Sequence, residues 1–265
     1  MPCVVVNKIG IFYEERGEGF PLIFLSGLTQ ETRAWKGQAA FFSKRFRVVT
    51  YDPRGQGMSD KPDRPDAYSL SEHLDDLTGL MDHLGIDRAH LVGLSQGGMV
   101  AQWAALHAPE RVAGLVLVDT GASTTLFLRS IFQGWIGAAE SGGGELFFNV
   151  SFPWIFSERF VEANPLLINT LRDLSKDLPA RAIAHLLRAA LSLDLKDQIH
   201  LIQAPTLILC GERDLLTPPS YARLLHEKII GSRLILFPEC GHVPPAECPE
   251  EFNRAVWEFL IDLEP

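Results

Sequence analysis

Val112–Val118 (Val-Ala-Gly-Leu-Val-Leu-Val) carries no polar side chain over seven residues. A strand with one wet face alternates, whereas a strand covered on both faces is apolar throughout. Pro21–Leu25, Arg47–Tyr51, Ala89–Leu94, Thr206–Cys210 and Arg233–Phe237 also read as buried strands. Helical patterns fall between them: Leu70–Leu84, Gln96–His107, Ser220–Lys228 and Pro249–Leu263. In the first of these, Leu70, Leu74, Leu77, Leu80, Met81 and Leu84 recur near helical spacing, and Gly85 is a natural stop. Val4–Glu15 alternates around Gly10 and suggests a β-hairpin. Strand and helix in turn imply an α/β fold, a mostly parallel central sheet flanked by helices.

The alternation breaks from Ala122 to Ile199. This stretch holds Phe127, Phe132, Trp135, Phe147, Phe148, Phe152, Trp154, Phe156 and Phe160, the triplet Gly142-Gly143-Gly144, and helical patterns such as Ala180–Leu191. It reads as a helical insertion between two strands. The expected division is therefore a core of 1–121 and 200–265 with an inserted unit of 122–199.

Gly93-Leu94-Ser95-Gln96-Gly97 lies where a strand runs into a helix. A serine on so sharp a turn has a strained backbone, and neighbours two positions away must lack a Cβ. The turn puts Ser95 at a helix N-terminus, where N–H groups favour developing negative charge. A serine hydroxyl needs a base. Of eight histidines, His73, His83, His107 and His226 read as surface residues of helices; His90 begins a strand, His185 lies in the insertion and His200 precedes a strand. His242, in the stiff loop Gly241-His242-Val243-Pro244-Pro245, follows the last strand, at the sheet edge where such folds place their sites. Two carboxylates on comparable loops, Asp214 and Asp119, could orient it, and serine–acid–histidine order suits both. For the oxyanion, the N–H of Gln96 and that of Leu28, in Ser26-Gly27-Leu28-Thr29, are the expected donors.

With these residues in view, the chain resembles the α/β-hydrolase superfamily, specifically its small serine esterase and lactonase branch of enol-lactonase-like and carboxylesterase-like hydrolases. Asp52-Pro53-Arg54-Gly55-Gln56-Gly57-Met58-Ser59 looks like that branch's Asp-x-Arg-Gly-x-Gly-x-Ser segment, Leu91–Gly98 like its elbow, and Gly241-His242 like its histidine loop. Pro205–Asp214 resembles its acid strand, which favours Asp214 over Asp119. The resemblance implies an α/β-hydrolase fold with a helical cap after the sixth strand. It implies Ser95, Asp214 and His242 as the catalytic set. Where many relatives have His-Gly at the oxyanion loop, this chain has Ser26-Gly27. A serine nucleophile argues against dehalogenase and epoxide hydrolase chemistry, which need a carboxylate.

The expected activity is hydrolysis of a small carboxylic ester or lactone, with Trp35 and Val243 beside Leu28 in an apolar substrate pocket. Carbon–carbon bond hydrolysis of a diketone, and a ligand receptor that does not turn over, are the rivals. The basic residues of the insertion, Arg129, Arg159, Arg172, Lys176, Arg181, Arg188 and Lys196, read as a solvated face. A net charge of −9 makes nucleic acid an unlikely partner. No apolar run is long enough to span a membrane. The start of the chain does not read as a secretory signal, so a reducing cytoplasm with free Cys3, Cys210, Cys240 and Cys248 is expected. The cysteine spacing suits no zinc site, and the chemistry calls for no metal and no organic cofactor.

Overall fold

A computed structural model describes residues 3–263; residues 1, 2, 264 and 265, at the ends of the expected core segments, lie outside the described residues. The strands are β1 (Cys3–Val6), β2 (Ile9–Arg16), β3 (Pro21–Leu25), β4 (Arg47–Tyr51), β5 (Ala89–Leu94), β6 (Val112–Val118), β7 (Thr206–Gly211) and β8 (Arg233–Phe237). The helices are α1 (Lys36–Phe42), α2 (Leu70–His83), α3 (Gln96–His107), α4 (Leu126–Ile155), α5 (Glu158–Ala163), α6 (Pro165–Ser175), α7 (Ala180–Ala190), α8 (Pro219–Lys228), α9 (Pro244–Glu247) and α10 (Pro249–Ile261).

The strands form one sheet in the order β1-β2-β4-β3-β5-β6-β7-β8. β2 pairs antiparallel with β1 and β4, and every later pairing is parallel. Side chains alternate across the sheet, so the apolar run of β6 feeds two cores. Leu115 and Leu117 pack with α2, α3 and α8 through Leu77, Met99 and Leu225. Val116 and Val118 pack with α1 and α10 through Phe42, Phe252 and Val256. Each such fully buried aliphatic or aromatic side chain contributes roughly 1.5–3 kcal/mol. The chain leaves β3 for β4 on one side and returns for β5 on the other. Ligands bind above such a switch point, at the carboxyl ends of the strands.

Between β6 and β7 stand α4 to α7. The ends of this stretch meet in a neck: Thr124 N–H donates to Leu193 O at 2.9 Å, and Leu195 N–H to Ala122 O at 2.7 Å. Above it, Leu128, Phe132, Trp135 and Phe147 of α4 pack on Ile183, Ala184 and Leu187 of α7. α4 is broken at Gly143, whose φ of 67° leaves the helical region. Among the described residues, no helix is long and apolar enough to cross a membrane.

His73 departs from the surface position expected of it. It is buried on α2, and burial, helped by the nearby charge of Arg54, lowers its pKa to about 3. It sits three residues after Leu70 and four before Leu77, on the stripe that α2 turns inward.

Candidate active site

Ser95 joins β5 to α3 with φ 53° and ψ −116°, well outside the usual regions for a residue with a Cβ. Close packing holds it there. A Cβ on Gly93 would lie 2.4 Å from Gly97 O, and one on Gly97 would lie 2.1 Å from Leu25 O. Ser95 N–H donates to Val118 O at 2.9 Å, and Thr120 Oγ1–H to Ser95 O at 2.8 Å.

His242 comes down on this turn from the loop after β8. Its Nε2 is 2.9 Å from Ser95 Oγ and its Nδ1 is 2.7 Å from Asp214 Oδ2. Asp214 is buried at the end of β7 and well provided with donors. Oδ1 accepts the N–H groups of Leu216 (2.8 Å) and Thr217 (3.0 Å), and Oδ2 accepts Thr217 Oγ1–H at 2.7 Å. Burial alone would raise its pKa; His242 and these hydrogen bonds outweigh it and hold the carboxyl below the usual range. Asp119 lies close by and behaves oppositely. Burial first, then the charge of Asp214, pushes it well above the usual range. One Asp119 oxygen accepts Gly211 N–H at 2.9 Å, while the other has no hydrogen-bond partner. The structure thus joins Ser95, His242 and Asp214 in one hydrogen-bonded row and leaves Asp119 behind it, its carboxyl pushed toward the protonated form.

Asp119, Cys210 and Asp214 bring three potential metal-ligand atoms within 4.8 Å of one another. The chemistry of the set does not suit a metal. A ligating cysteine must be a thiolate, and burial pushes the Cys210 thiol up. The oxygens of Asp214 already take four hydrogen bonds.

The loop after β3 faces Ser95 across the switch point. Gly27 is gripped from both sides: its N–H donates to Gln30 Oε1 at 3.1 Å, and its O accepts Gln56 Nε2–H at 3.3 Å. Among the described residues, no protein acceptor takes the N–H of Leu28 or Gln96. The segment from Asp52 to Ser59 is the scaffold under this loop. Asp52 accepts the N–H groups of Thr32 (2.7 Å) and Met58 (2.8 Å). Buried Arg54 forms a two-pronged pair with Asp76 at 2.6 Å. Ser26 has a partner of its own: Trp35 Nε1–H donates to Ser26 Oγ at 3.0 Å. Both residues are buried. Ser26→Ala would leave the indole N–H without an acceptor, and should lower stability by about 1–3 kcal/mol. A thermal melt unchanged from wild type would show that the bond carries no such weight.

Ser95 and His242 open into a cavity of about 480 Å³. Leu28, Trp35 and Val243, expected from the sequence, line it near the serine. Its wall is the insertion, through Phe132, Trp135 and Phe152 of α4, Leu171 of α6 and Leu187 of α7. Among the described residues the Asp, Glu, Lys and Arg side chains on its lining are Glu31 and Arg33, and they pair with each other at 2.9 Å. Arg129, Arg159, Arg172, Lys176, Arg181, Arg188 and Lys196 do not line it. Gln56 reaches Gly27 from another loop, whereas Gln30 and Thr217 brace Gly27 and Asp214 from three residues away on the same loops.

Comparison with known proteins supports the fold described above. The family model described as alpha/beta hydrolase fold matches residues 21–247. The chain is 31% identical over 240 residues to 3-oxoadipate enol-lactonase 2 of Acinetobacter baylyi, covering 89% of this chain and 86% of that one. The crystal structure of the enol-lactonase from Burkholderia xenovorans superposes with a TM-score of 0.91 at 28% identity, covering 98% of this chain and 100% of that one. An alpha/beta hydrolase enzyme from a Medee basin deep-sea metagenome library gives a TM-score of 0.92 at 28% identity, covering 98% and 97%.

Proposed function

The chain belongs to the alpha/beta hydrolase family, and from that premise we propose that it is a serine hydrolase cleaving a small, neutral carboxylic ester or lactone through an acyl-enzyme on Ser95. One observation carries the reading: the row Ser95–His242–Asp214 ends with its serine in an apolar cavity.

In this mechanism Ser95 Oγ attacks the substrate carbonyl while His242 Nε2 takes its proton. Asp214 stays ionised, keeps Nδ1 protonated and faces the imidazolium. The N–H groups of Leu28 and Gln96 bind the oxyanion. His242 returns the proton to the leaving oxygen as the carbon–oxygen bond breaks. Water activated by the same imidazole then attacks the acyl-enzyme, and Ser95 recovers its proton. Residues 122–199 serve as the cap that excludes bulk water, over a core of 1–121 and 200–265.

The named relative acts on a lactone whose name carries a dicarboxylic acid. Among the described residues, this chain's cavity offers such a group no free cation, because Arg33 is paired with Glu31. A buried charge without a partner is heavily disfavoured. Neutral esters and lactones with short or ring-bearing acyl groups should therefore exceed carboxylate-bearing lactones in kcat/KM by about 10²-fold, the equivalent of ~2.7 kcal/mol. A panel of p-nitrophenyl esters of increasing acyl length, run beside neutral and carboxylate-bearing lactones, tests this. A steady climb toward the longest chains, or turnover confined to a carboxylate-bearing lactone, would defeat the proposal.

A further inference from the structure

We propose that Glu247 is a positioning residue whose carboxylate fastens the loop carrying His242 to the end of α4, so that the cavity wall and the base are held as one piece. The inference rests on the serine-hydrolase reading and names a residue that reading does not use. Glu247 closes the short helix α9, five residues after His242. Gly241 N–H donates to its Oε2 at 3.0 Å, and Ser157 Oγ–H donates to the same oxygen at 2.5 Å. Ser157 N–H is shared between the two oxygens at 3.3 and 3.4 Å. One carboxylate therefore holds the residue before the histidine and the residue that caps α5.

A second tie runs beside it. His242 N–H donates to Ile155 O at 2.9 Å, in the last turn of α4. Both backbone anchors of the histidine segment thus come from, or through, residues 155–157. A Cβ on Gly241 would lie 2.6 Å from Ser157 N and 2.6 Å from Glu247 Oε1, and one on Gly211 would lie 2.0 Å from Gly241 O. The insertion, the histidine loop and the strand that leads to Asp214 meet backbone to backbone. Ile155 and Phe156 line the cavity, and Glu247 does not. Any effect of Glu247 on turnover therefore passes through His242 rather than through contact with substrate.

Charge makes the clamp strong. Hydrogen bonds to an ionised acceptor are roughly twice as strong as neutral ones, and Glu247 accepts from three donor groups at once. In Glu247→Gln, one oxygen becomes an NH₂ that faces donors and cannot accept. A base displaced by about 1 Å can lose about 10²-fold in rate.

The test compares Glu247→Gln and the milder Ser157→Ala with wild type in the full chain. Four quantities are read: kcat and KM on one good ester, the rate at which a fluorophosphonate labels Ser95, the downfield imidazole N–H proton resonance of the His242–Asp214 bond, and the melting temperature. Glu247→Gln should lose about 10-fold or more in kcat with KM within about twofold, slow the labelling in parallel, and shift or broaden the resonance. Ser157→Ala should move the same quantities less. A Glu247→Gln protein that melts earlier but keeps wild-type kcat, labelling rate and resonance has lost only a structural bond, and the proposal is then overturned. If Glu247→Gln does not fold, unchanged kcat and resonance in Ser157→Ala overturn it instead. A wild-type protein that neither turns over nor labels sinks the serine-hydrolase reading; the resonance, which needs no substrate, still decides the clamp.

Discussion

Ser95→Ala is expected to lose about 10³-fold or more of kcat on any ester that the wild-type protein hydrolyses, with an unchanged melting curve. The loss is large because the serine, the base and its acid act as one unit: without Oγ there is no bond to the acyl carbon, and His242 has no proton to take. Some rate above water should survive, since the N–H groups of Leu28 and Gln96 can still polarise a bound carbonyl while His242 activates water. The fold should survive because the strain at residue 95 is held by backbone contacts: the tight approach of Gly93 and Gly97, and the bond from Ser95 N–H to Val118 O. None of these involves Oγ. Near-normal turnover with an intact melting curve would remove Ser95 from its role. A wild-type protein modified once at Ser95 without further turnover would favour the receptor reading.

The central sheet is legible in the sequence because a strand covered on both faces cannot hide its composition. β6 shows this: from Leu115 to Val118 its residues feed opposite cores in turn, so all of them are apolar. The elbow is legible for a related reason. Gly93 and Gly97 are required by atoms 2.4 and 2.1 Å from where a Cβ would stand, and such contacts leave only glycine. α1 leaves no comparable mark, since seven residues give too few turns for a period to emerge. His73 reads as a surface residue by its type, yet its spacing from Leu70 and Leu77 puts it on the inward stripe, and position prevails over type. The bonds of Ser26 to Trp35, Thr217 to Asp214 and Glu247 to Gly241 have no sequence signal. The first and last depend on how the chain folds back in space, the second is a turn three residues long, and a polar residue in a loop looks the same whether it is solvated or engaged.

The two aspartates separate most sharply under conservative substitution. Asp214→Asn keeps the shape of the side chain but removes the charge facing the imidazolium and presents an amide to Nδ1, which favours the wrong tautomer. A loss of about 10³–10⁴-fold in kcat is expected. Asp119→Asn should stay within a few-fold of wild type, because Asp119 accepts from Gly211 N–H rather than from His242 and its surroundings favour the uncharged form that asparagine mimics. Its signature should be in stability instead. Burial and the neighbouring charge of Asp214 raise the folded pKa of Asp119 above its ordinary value of 3.8. Such an acid is at no disadvantage in the fold while the unfolded chain is also protonated. As pH rises past about 4, the unfolded carboxyl ionises freely and the folded one does not, so the fold loses stability until the folded pKa is passed. Asparagine does not titrate and escapes that penalty. Asp119→Asn should therefore melt above wild type at pH 7, with the difference shrinking toward pH 4. Asp214 has the opposite sign: its folded pKa is lowered, so the stability it contributes is present above the unfolded pKa and is lost as pH falls through the folded one. Kinetics of both variants on one ester, with melts from pH 4 to 8, decide the assignment. If Asp119→Asn is the crippled variant, or if it melts below wild type at pH 7, Asp119 is the ionised partner of His242 and the roles of the two aspartates are reversed.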